Sequence, residues 1–464
     1  MMKQYKKILI ANRGEIAVRI IRACKEMGIE TVSIYSKGDE GALHTRIADH
    51  KICIGNSNSR ESYLNAYNIL AAATYSKVDA IHPGIGYFSE NSDFAELCNL
   101  CNIDYIGAGL KSIQLMGDKI KAKQIAKECG IPIIGGDSIE VKNIEDCNNY
   151  ILEHGFPIII KAASGGGGKG IRIVRTKEEI ERSLESCKKE ADSAFGNCTL
   201  LIEKYYEGSK HIEVQVLGDK YGNIIHLGDR ECSIQRSNQK LIEEARCTNI
   251  NETIRENIYE DALKLSHYMQ YEGPGTVEFI LLPDGTYYFM EMNTRLQVEH
   301  TITEMITGID LVKEQIRITQ GNPLQWKQEE VTFRGYALQC RILAEYLSKD
   351  YKLLPSYGRI NKWYMPGGFG VRVDTGYELY NQITPFYDSL LTKVCCFGNT
   401  KEEAVLKMLA CLDEIEMEGI MNNIQLLKLV LQDNRFINGE YHTGFINQML
   451  SELKGANAPE SGVL

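Results

Sequence analysis

The stretch from Gly273 to Arg295, GPGTVEFILLPDGTYYFMEMNTR, constrains the fold of this 464-residue chain more than any other segment. Asp284-Gly285 stands between two runs rich in β-branched and aromatic residues, the mark of a two-residue hairpin turn. With those two residues as the loop, Glu278 faces Glu291, and alternation along the second strand puts Asn293 on the same face. Facing Cβ atoms lie only ~4.5–5.5 Å apart, so two ionised carboxylates there repel and are costly to bury. Two carboxylates and an amide oxygen make a hard, oxygen-only ligand set suited to Mg2+ or Mn2+, which would bridge nucleotide phosphates and cancel the repulsion. One glutamate turned to solvent, or a proton shared between the two, is the alternative. At every second position beyond come Arg295, Gln297 and Glu299, provided the backbone stays extended. An ion pair between Arg295 and Glu299 is one way to hold those charges.

The segment FPIIIKAASGGGGKGIRIV at 156–174 is equally distinctive. A Walker loop is excluded: Lys169 is followed by Gly170, and Ala163 takes the place of the first glycine. A dinucleotide turn is excluded because IRIVRT, which follows, is strand-like where a helix is required. Strand, glycine loop, strand remains, a hairpin lid whose backbone N–H groups approach phosphate oxygens with no Cβ in the way. Lys161 and Lys169 add positive charge; a surface hairpin without a ligand is the alternative. Further on, HIEVQV at 211–216 alternates, and its polar face of His211, Glu213 and Gln215 suits a wet or ligand-facing setting.

The first ~115 residues alternate strand and helix, which predicts a parallel, helix-covered sheet. Their first turn, Ala11 to Glu15, lacks the glycines a nicotinamide dinucleotide needs. Long strands in hairpin-like pairs fill 116–333, and more strands followed by a helical pattern fill 334–447. Residues 448–464 read as a tail whose small, polar end frays. Apolar residues at 44% and charged residues at 25% are those of a folded chain. A net charge of −10 argues against nucleic acid as a partner, and no apolar run nears the ~20 residues of a membrane helix. The N-terminus runs into a strand where a signal peptide would have its apolar core, so a cytoplasmic protein is expected. The 14 cysteines are scattered, and the single CxxC (Cys98, Cys101) has no second pair at zinc spacing. Reduced, buried thiols are the expectation.

Taken together these segments resemble biotin carboxylase, an ATP-grasp family, over about residues 5–447. The pieces that carry the resemblance include ANRGEIAVRI (11–20), HPGIGYFSEN (82–91), MGDK (116–119), KAASGGGGKG (161–170) and EKYYEGSKHIEVQV (203–216). QRSNQK (235–240), EMNTRLQVEHTITEMITG (291–308), QCRILAE (339–345) and FYDSLLTK (386–393) follow in order. The resemblance implies a mixed α/β and α+β architecture. A Rossmann-like N-terminal domain (1–115) would precede an ATP-grasp domain (116–333) with a mobile lid at about 135–204, and a β-rich C-terminal domain (334–447) would close the fold.

The resemblance also implies roles. Lys119 and Lys161 would contact ATP phosphates, with Gly167 and Gly168 closing over them. Glu203, Lys204, Tyr205 and Tyr206 would line the adenine pocket, His211 would sit near the ribose, and Asn238 would join the nucleotide site. Glu278, Glu291 and Asn293 would hold the metal. Lys240, Arg295 and the backbone of Val298 would bind bicarbonate, Glu299 would be its base, and Arg341 would face biotin. The implied reaction is ATP-dependent carboxylation of biotin through carboxyphosphate, giving carboxybiotin, ADP and phosphate. No AMKM biotinylation motif occurs, so a free-standing subunit is expected, serving a separate biotin carboxyl carrier protein and carboxyltransferase subunits. Acetyl-CoA carboxylase, in fatty-acid synthesis, is the expected host, and a homodimer with Arg19 at its interface the expected assembly.

Some positions depart from the family's pattern. Ile85 replaces Tyr, Asn238 replaces His, EEARCT at 243–248 replaces an EEAPAP-like turn, Thr301 replaces Pro, and Gln339 replaces Glu. LAEYL stands where NAEDP is usual. Two readings compete: a different ATP-grasp ligase joining a carboxylate to an amine, and a nucleotide-sensing regulator without catalysis.

Overall fold

The computed structural model describes residues 3–135, 139–141, 143–162, 170–195 and 199–456. Gly167 and Gly168, at the centre of the glycine-rich segment, lie outside the described residues.

The N-terminal part is the expected parallel sheet. Strands β1 (Lys7–Ile10), β2 (Glu30–Ser36), β3 (His50–Gly55), β4 (Ala80–His82) and β5 (Asp104–Tyr105) lie in the order β3-β2-β1-β4-β5. The strand order reverses between β1 and β4, and a crevice opens beyond their carboxyl ends, where open α/β sheets take ligands. Asn12 bridges it, donating from Nδ2 to the carbonyls of Pro83 (2.6 Å) and Ile85 (2.8 Å). Gly84 sits at φ +68°, and a Cβ there would lie 2.8 Å from Asn12 Nδ2, so both backbone and space demand glycine.

Strands β6 (Ile139–Val141), β7 (Ile158–Ala162), β8 (Ile171–Val174) and β9 (Leu200–Lys204) make an antiparallel sheet in the order β6-β9-β7-β8. It has its own small core around Tyr150, Ile158, Ile160, Leu184 and Ile202. β7 and β8 pair from Ile158 opposite Val174 to Lys161 opposite Ile171, so the glycine-rich segment joins two strands of one hairpin, as its sequence predicts.

The third body is one continuous antiparallel sheet of eight strands. In chain order they are β10 (Lys210–Gly218), β11 (Ile224–Arg236), β12 (Gln239–Ala245), β13 (Gly273–Leu281), β14 (Tyr287–Asn293), β15 (Tyr336–Leu343), β16 (Val371–Thr375) and β17 (Leu390–Gly398). Their spatial order is β14-β13-β10-β11-β12-β15-β17-β16. The sheet crosses residue 334, because β12 pairs with β15 directly, Glu243 opposite Gln339. One face is apolar, with Val214, Val277, Phe279 and Phe289 packed in the same core as the helix Glu252–Tyr268 and much of the N-terminal part. The other face carries His211, Glu213, Gln215, Arg230 and Glu278 and is buried too, partly under the helix His300–Thr307.

The helix Phe445–Ala456 runs past residue 447, with Met449 and Leu450 buried in the C-terminal core, where sequence alone began a tail. Among the described residues no helix is long and apolar enough to cross a membrane.

Candidate active site

The β13–β14 hairpin puts Glu278 opposite Glu291, as its sequence predicts, but by another route. The loop has three residues, Pro283 to Gly285, closed by Leu282 N–H donating to the Thr286 carbonyl, with Gly285 at φ +88°. That loop shifts the pairing by one residue, and a bulge between Glu278 and Phe279 shifts it back. Thr276 then faces Asn293, so Arg295 would face Pro274, which has no N–H to give. β14 therefore stops at Asn293. The backbone does not stay extended through Glu299, and Glu299 becomes the N-cap of the helix His300–Thr307.

Each carboxylate of the hairpin meets positive charge from another element. Glu291 accepts a hydrogen bond from Lys119, the first residue of the helix Lys119–Glu128. Glu278 Oε1 accepts from Asn293 Nδ2 (2.7 Å) and Gln297 Nε2 (2.8 Å), and its Oε2 lies 3.0 Å from His211 Nε2. Burial alone would raise the Glu278 carboxyl, but Lys240 and His211 outweigh it and hold it well below the usual carboxylate range. The repulsion foreseen from the sequence is thus answered by neighbouring donors. Glu278 itself is buried.

Lys240, on β12, is the hub. Its Nζ bonds to Glu213, lies 2.7 Å from Glu299 Oε1 and reaches Glu278 Oε1 at 3.4 Å. Arg341, on β15, puts Nη2 3.0 Å from Glu299 Oε2 and donates from Nε to Glu243 Oε1 at 2.5 Å. Burial would raise Glu299; Lys240, Arg341 and Arg230 together hold it far below. Burial pushes Glu243 up, against the pull of Arg341. Of Arg295, Glu299, Lys240 and Arg341, the residues expected from the sequence to act on bicarbonate and biotin, Lys240, Glu299 and Arg341 form one contiguous chain.

Arg295 is one step away. It donates from Nε to Glu90 Oε2 (2.7 Å), from Nη2 to Asn293 Oδ1 (2.8 Å) and from Nη1 to Gln297 Oε1 (3.1 Å). Its ion-pair partner is Glu90, from the HPGIGYFSEN segment, where sequence alone offered Glu299. The Val298 carbonyl accepts a 2.8 Å hydrogen bond from Lys393.

At the four-stranded sheet, Lys161 lies 2.7 Å from Glu203 Oε2, and Lys123 lies 2.6 Å from Glu203 Oε1. Burial would raise Glu203, but the two lysines hold it far below the usual range. Burial lowers Lys123 to about 8. Lys204 donates to the Phe156 carbonyl (2.8 Å), Tyr205 N–H to the Pro157 carbonyl (3.1 Å), and Tyr206 stacks on Tyr288 with centroids 5.4 Å apart. Asn238 stands apart from these groups. It is exposed in the β11–β12 turn at φ +59°, a left-handed conformation that asparagine tolerates better than most residues.

Several partners have no counterpart in the sequence reading. The polar face of His211, Glu213 and Gln215 is buried, not wet, and Arg230 on the adjacent strand is buried with it. Arg230 donates to Glu213 Oε2 (3.2 Å), Gln215 Oε1 (2.8 Å), Thr276 Oγ1 (3.0 Å) and Thr303 Oγ1 (3.0 Å). Charged residues inside an otherwise apolar strand pattern are the available signal, since such groups are buried only when partnered. Glu90, Lys123 and Glu243 give no comparable sign.

Three family models tile the chain: "Biotin carboxylase, N-terminal domain" over 4–113, "Carbamoyl-phosphate synthase L chain, ATP binding domain" over 118–327 and "Biotin carboxylase C-terminal domain" over 339–448. "Biotin carboxylase 1" of Bacillus subtilis is 49% identical over 95% of this chain and 98% of its own length. The chain belongs to the biotin carboxylase family. Another relative of this biotin carboxylase chain, a pyruvate carboxylase subunit from Methanothermobacter thermautotrophicus, is 45% identical over 96% of this chain and 90% of its own length. A crystal structure of the biotin carboxylase domain of Hydrogenobacter thermophilus 2-oxoglutarate carboxylase, in complex with MgADP, ADP and bicarbonate, superposes with a TM-score of 0.92 at 45% identity, covering 97% of this chain and 98% of that one. The biotin carboxylase family thus accounts for the parallel sheet, the lid sheet and the eight-stranded sheet together.

Proposed function

We propose that this chain carboxylates biotin on a separate carrier protein, using ATP and bicarbonate through carboxyphosphate and releasing ADP and phosphate. The observation that carries this reading is the unbroken contact from the Glu278–Glu291 hairpin through Lys240 and Glu299 to Arg341. It joins a phosphate-side group to an acceptor-side group within one sheet.

Lys119 and Lys161, here neutralising Glu291 and Glu203, would move onto the ATP phosphates, with Gly167 and Gly168 closing over them. Glu203, Lys204, Tyr205, Tyr206, His211 and Asn238 would frame the nucleoside. Glu278, Glu291 and Asn293 suit a divalent cation: all three offer hard oxygen donors, and Glu291 is released once Lys119 turns to phosphate. A cation held there would neutralise the transferring phosphoryl group.

Lys240 and Arg295 would bind bicarbonate. The Val298 carbonyl is engaged by Lys393, which leaves the Val298 N–H as the backbone donor for an anion. Glu299 would accept the bicarbonate proton. In the free site Lys240 and Arg341 depress its basicity, and a bound anion that shares Lys240 restores it. Closure of the lid would exclude water from the labile carboxyphosphate. Arg341 would steady the developing enolate oxygen of biotin.

Two hosts are proposed. Acetyl-CoA carboxylase, with carboxyltransferase subunits, fatty-acid synthesis, a cytoplasmic setting and a homodimer, is our reading. A pyruvate or 2-oxoglutarate carboxylase is the second, favoured by the likeness to those proteins. ATP hydrolysis with Mg2+ is expected to require bicarbonate, to rise with free biotin, and to vanish in Arg295→Ala and Glu299→Ala. Turnover with an amine acceptor but without biotin would favour the other ligase, and nucleotide binding without turnover the regulator. Reconstitution with each set of carrier and transferase subunits, scored on acetyl-CoA against pyruvate and 2-oxoglutarate, separates the hosts.

A further inference from the structure

GEIAVRI near the N-terminus and the end of FYDSLLTK both drew attention in the sequence. They meet at Lys393. This lysine on β17 is fully buried, and its ammonium lies 3.0 Å from Glu15 Oε2, in the first turn of the helix Gly14–Glu26. Asp374 Oδ2 is farther, at 3.8 Å, and shares its charge between Lys393 and Arg372, the latter at 2.8 Å. A lysine removed from water this completely is costly unless its charge is matched and its protons are placed. Glu15 is the nearer carboxylate and Asp374 the farther one, and another N–H of the ammonium is used on the 2.8 Å hydrogen bond to the Val298 carbonyl.

That carbonyl belongs to the 294–299 loop, which carries Arg295, Gln297 and Glu299 to three different partners. The loop's other main-chain anchors are local or N-terminal. Thr294 N–H donates to Glu90 Oε1 at 3.1 Å, and the Gln297 carbonyl accepts from His300 N–H at 3.2 Å. Lys393 is the main-chain tether from the C-terminal part, whereas Arg341 reaches only the Glu299 side chain. A free carbonyl at Val298 could turn toward an incoming anion and repel it, whereas the ammonium holds it turned away.

We propose that Lys393, held by Glu15, is a positioning residue for bicarbonate: it orients the Val298 peptide so that the 294–299 loop presents donors, and no carbonyl, to the anion. The inference rests on the reading that this loop receives bicarbonate.

The test uses the full chain and steady-state ATP hydrolysis with Mg2+, varying bicarbonate and ATP separately. Lys393→Met strands the Glu15 carboxylate, so Glu15→Gln and the double variant Lys393→Met/Glu15→Gln are measured beside it. The expected result is a bicarbonate KM raised at least about tenfold in both Lys393 variants, since loose positioning near the chemistry costs up to ~10²-fold. The ATP KM should stay within about twofold, and nucleotide affinity by calorimetry should not move. An unchanged bicarbonate KM in the double variant relative to the unaltered chain overturns the proposal, as do equal rises in both KM values. An unaltered chain with no bicarbonate-dependent hydrolysis overturns the underlying reading, and this inference with it.

Discussion

Thr301 donates a 2.5 Å hydrogen bond to Gln339 Oε1, and both residues are fully buried. Both are positions where the chain departs from its family's pattern, and the two departures answer each other. Gln339 passes the polarity on from Nε2 to Glu243 Oε2 at 2.9 Å. Glutamate at 339 would set a second buried carboxylate against Glu243, and proline at 301 would offer Gln339 no donor. Thr301→Val should lower stability by about 1 kcal/mol, the cost of a buried acceptor left with only the weak Cys395 thiol as donor, read as a shift in urea midpoint. Combined with Gln339→Leu it should show a coupling energy of at least ~0.5 kcal/mol. Strict additivity would mean that the two side chains do not depend on each other.

Lys240 fixes the acid limit of stability. Glu278 and Glu299 are held below their ordinary range, with Lys240 the leading charge against burial in both. A depressed carboxyl contributes stability that is present above the unfolded value, ~4.3, and lost as pH falls through the folded one. Lys240→Met should therefore flatten the fall of the urea midpoint below pH ~4.3 while lowering the neutral plateau by about 3–5 kcal/mol, the cost of breaking a buried pair.

Lys123 acts in the opposite sense. Burial drives it to about 8, against the pull of Glu203. A lysine depressed in the folded state weighs on stability at low pH, and that penalty lifts as pH rises from about 8 toward the unfolded value of ~10.4. Wild-type stability should carry a rising component across that interval, and Lys123→Met should abolish it. With Lys123 gone, Glu203 would draw harder on Lys161, so the same variant should raise the ATP KM several-fold, measured by initial rates.

Arg341 pairs with Glu243 and Glu299, whereas Lys119 and Lys161 pair with Glu291 and Glu203. Arg341→Ala should lower biotin-dependent kcat by about 10²–10³, in line with other lost oxyanion donors, with the ATP KM unchanged. Arg341→Lys keeps a charge without the planar fork and should recover only part of the rate.

The hairpin shows how legibility and error can coexist. Asp284-Gly285 announces a turn, and Glu278 does face Glu291, but the expected two-residue loop is a three-residue one whose offset a bulge removes. Nothing in the residues around Met290 marks a bulge; beside it the Phe289 N–H donates to the Pro132 carbonyl at 2.8 Å, a partner far earlier in the chain. Pro274, by contrast, is readable as the reason β14 must stop at Asn293. The polar face of HIEVQV is legible as a face but not as a buried one. Its cover is the helix His300–Thr307, about ninety residues on, and its neutralising cation is Arg230 on the adjacent strand. Local pattern reports periodicity; what packs above a face is set by distant chain.

Because β12 and β15 are hydrogen-bonded neighbours, the spacing between the Lys240 and Arg341 strands is held at the ~4.8 Å of any sheet ladder. These two groups therefore travel as a unit, and any change in what they contact must come from side chains, not from hinging. A chain severed after residue 333 would bare the β12 edge, and its unpaired N–H and C=O groups would recruit a second fragment before they recruited a carrier.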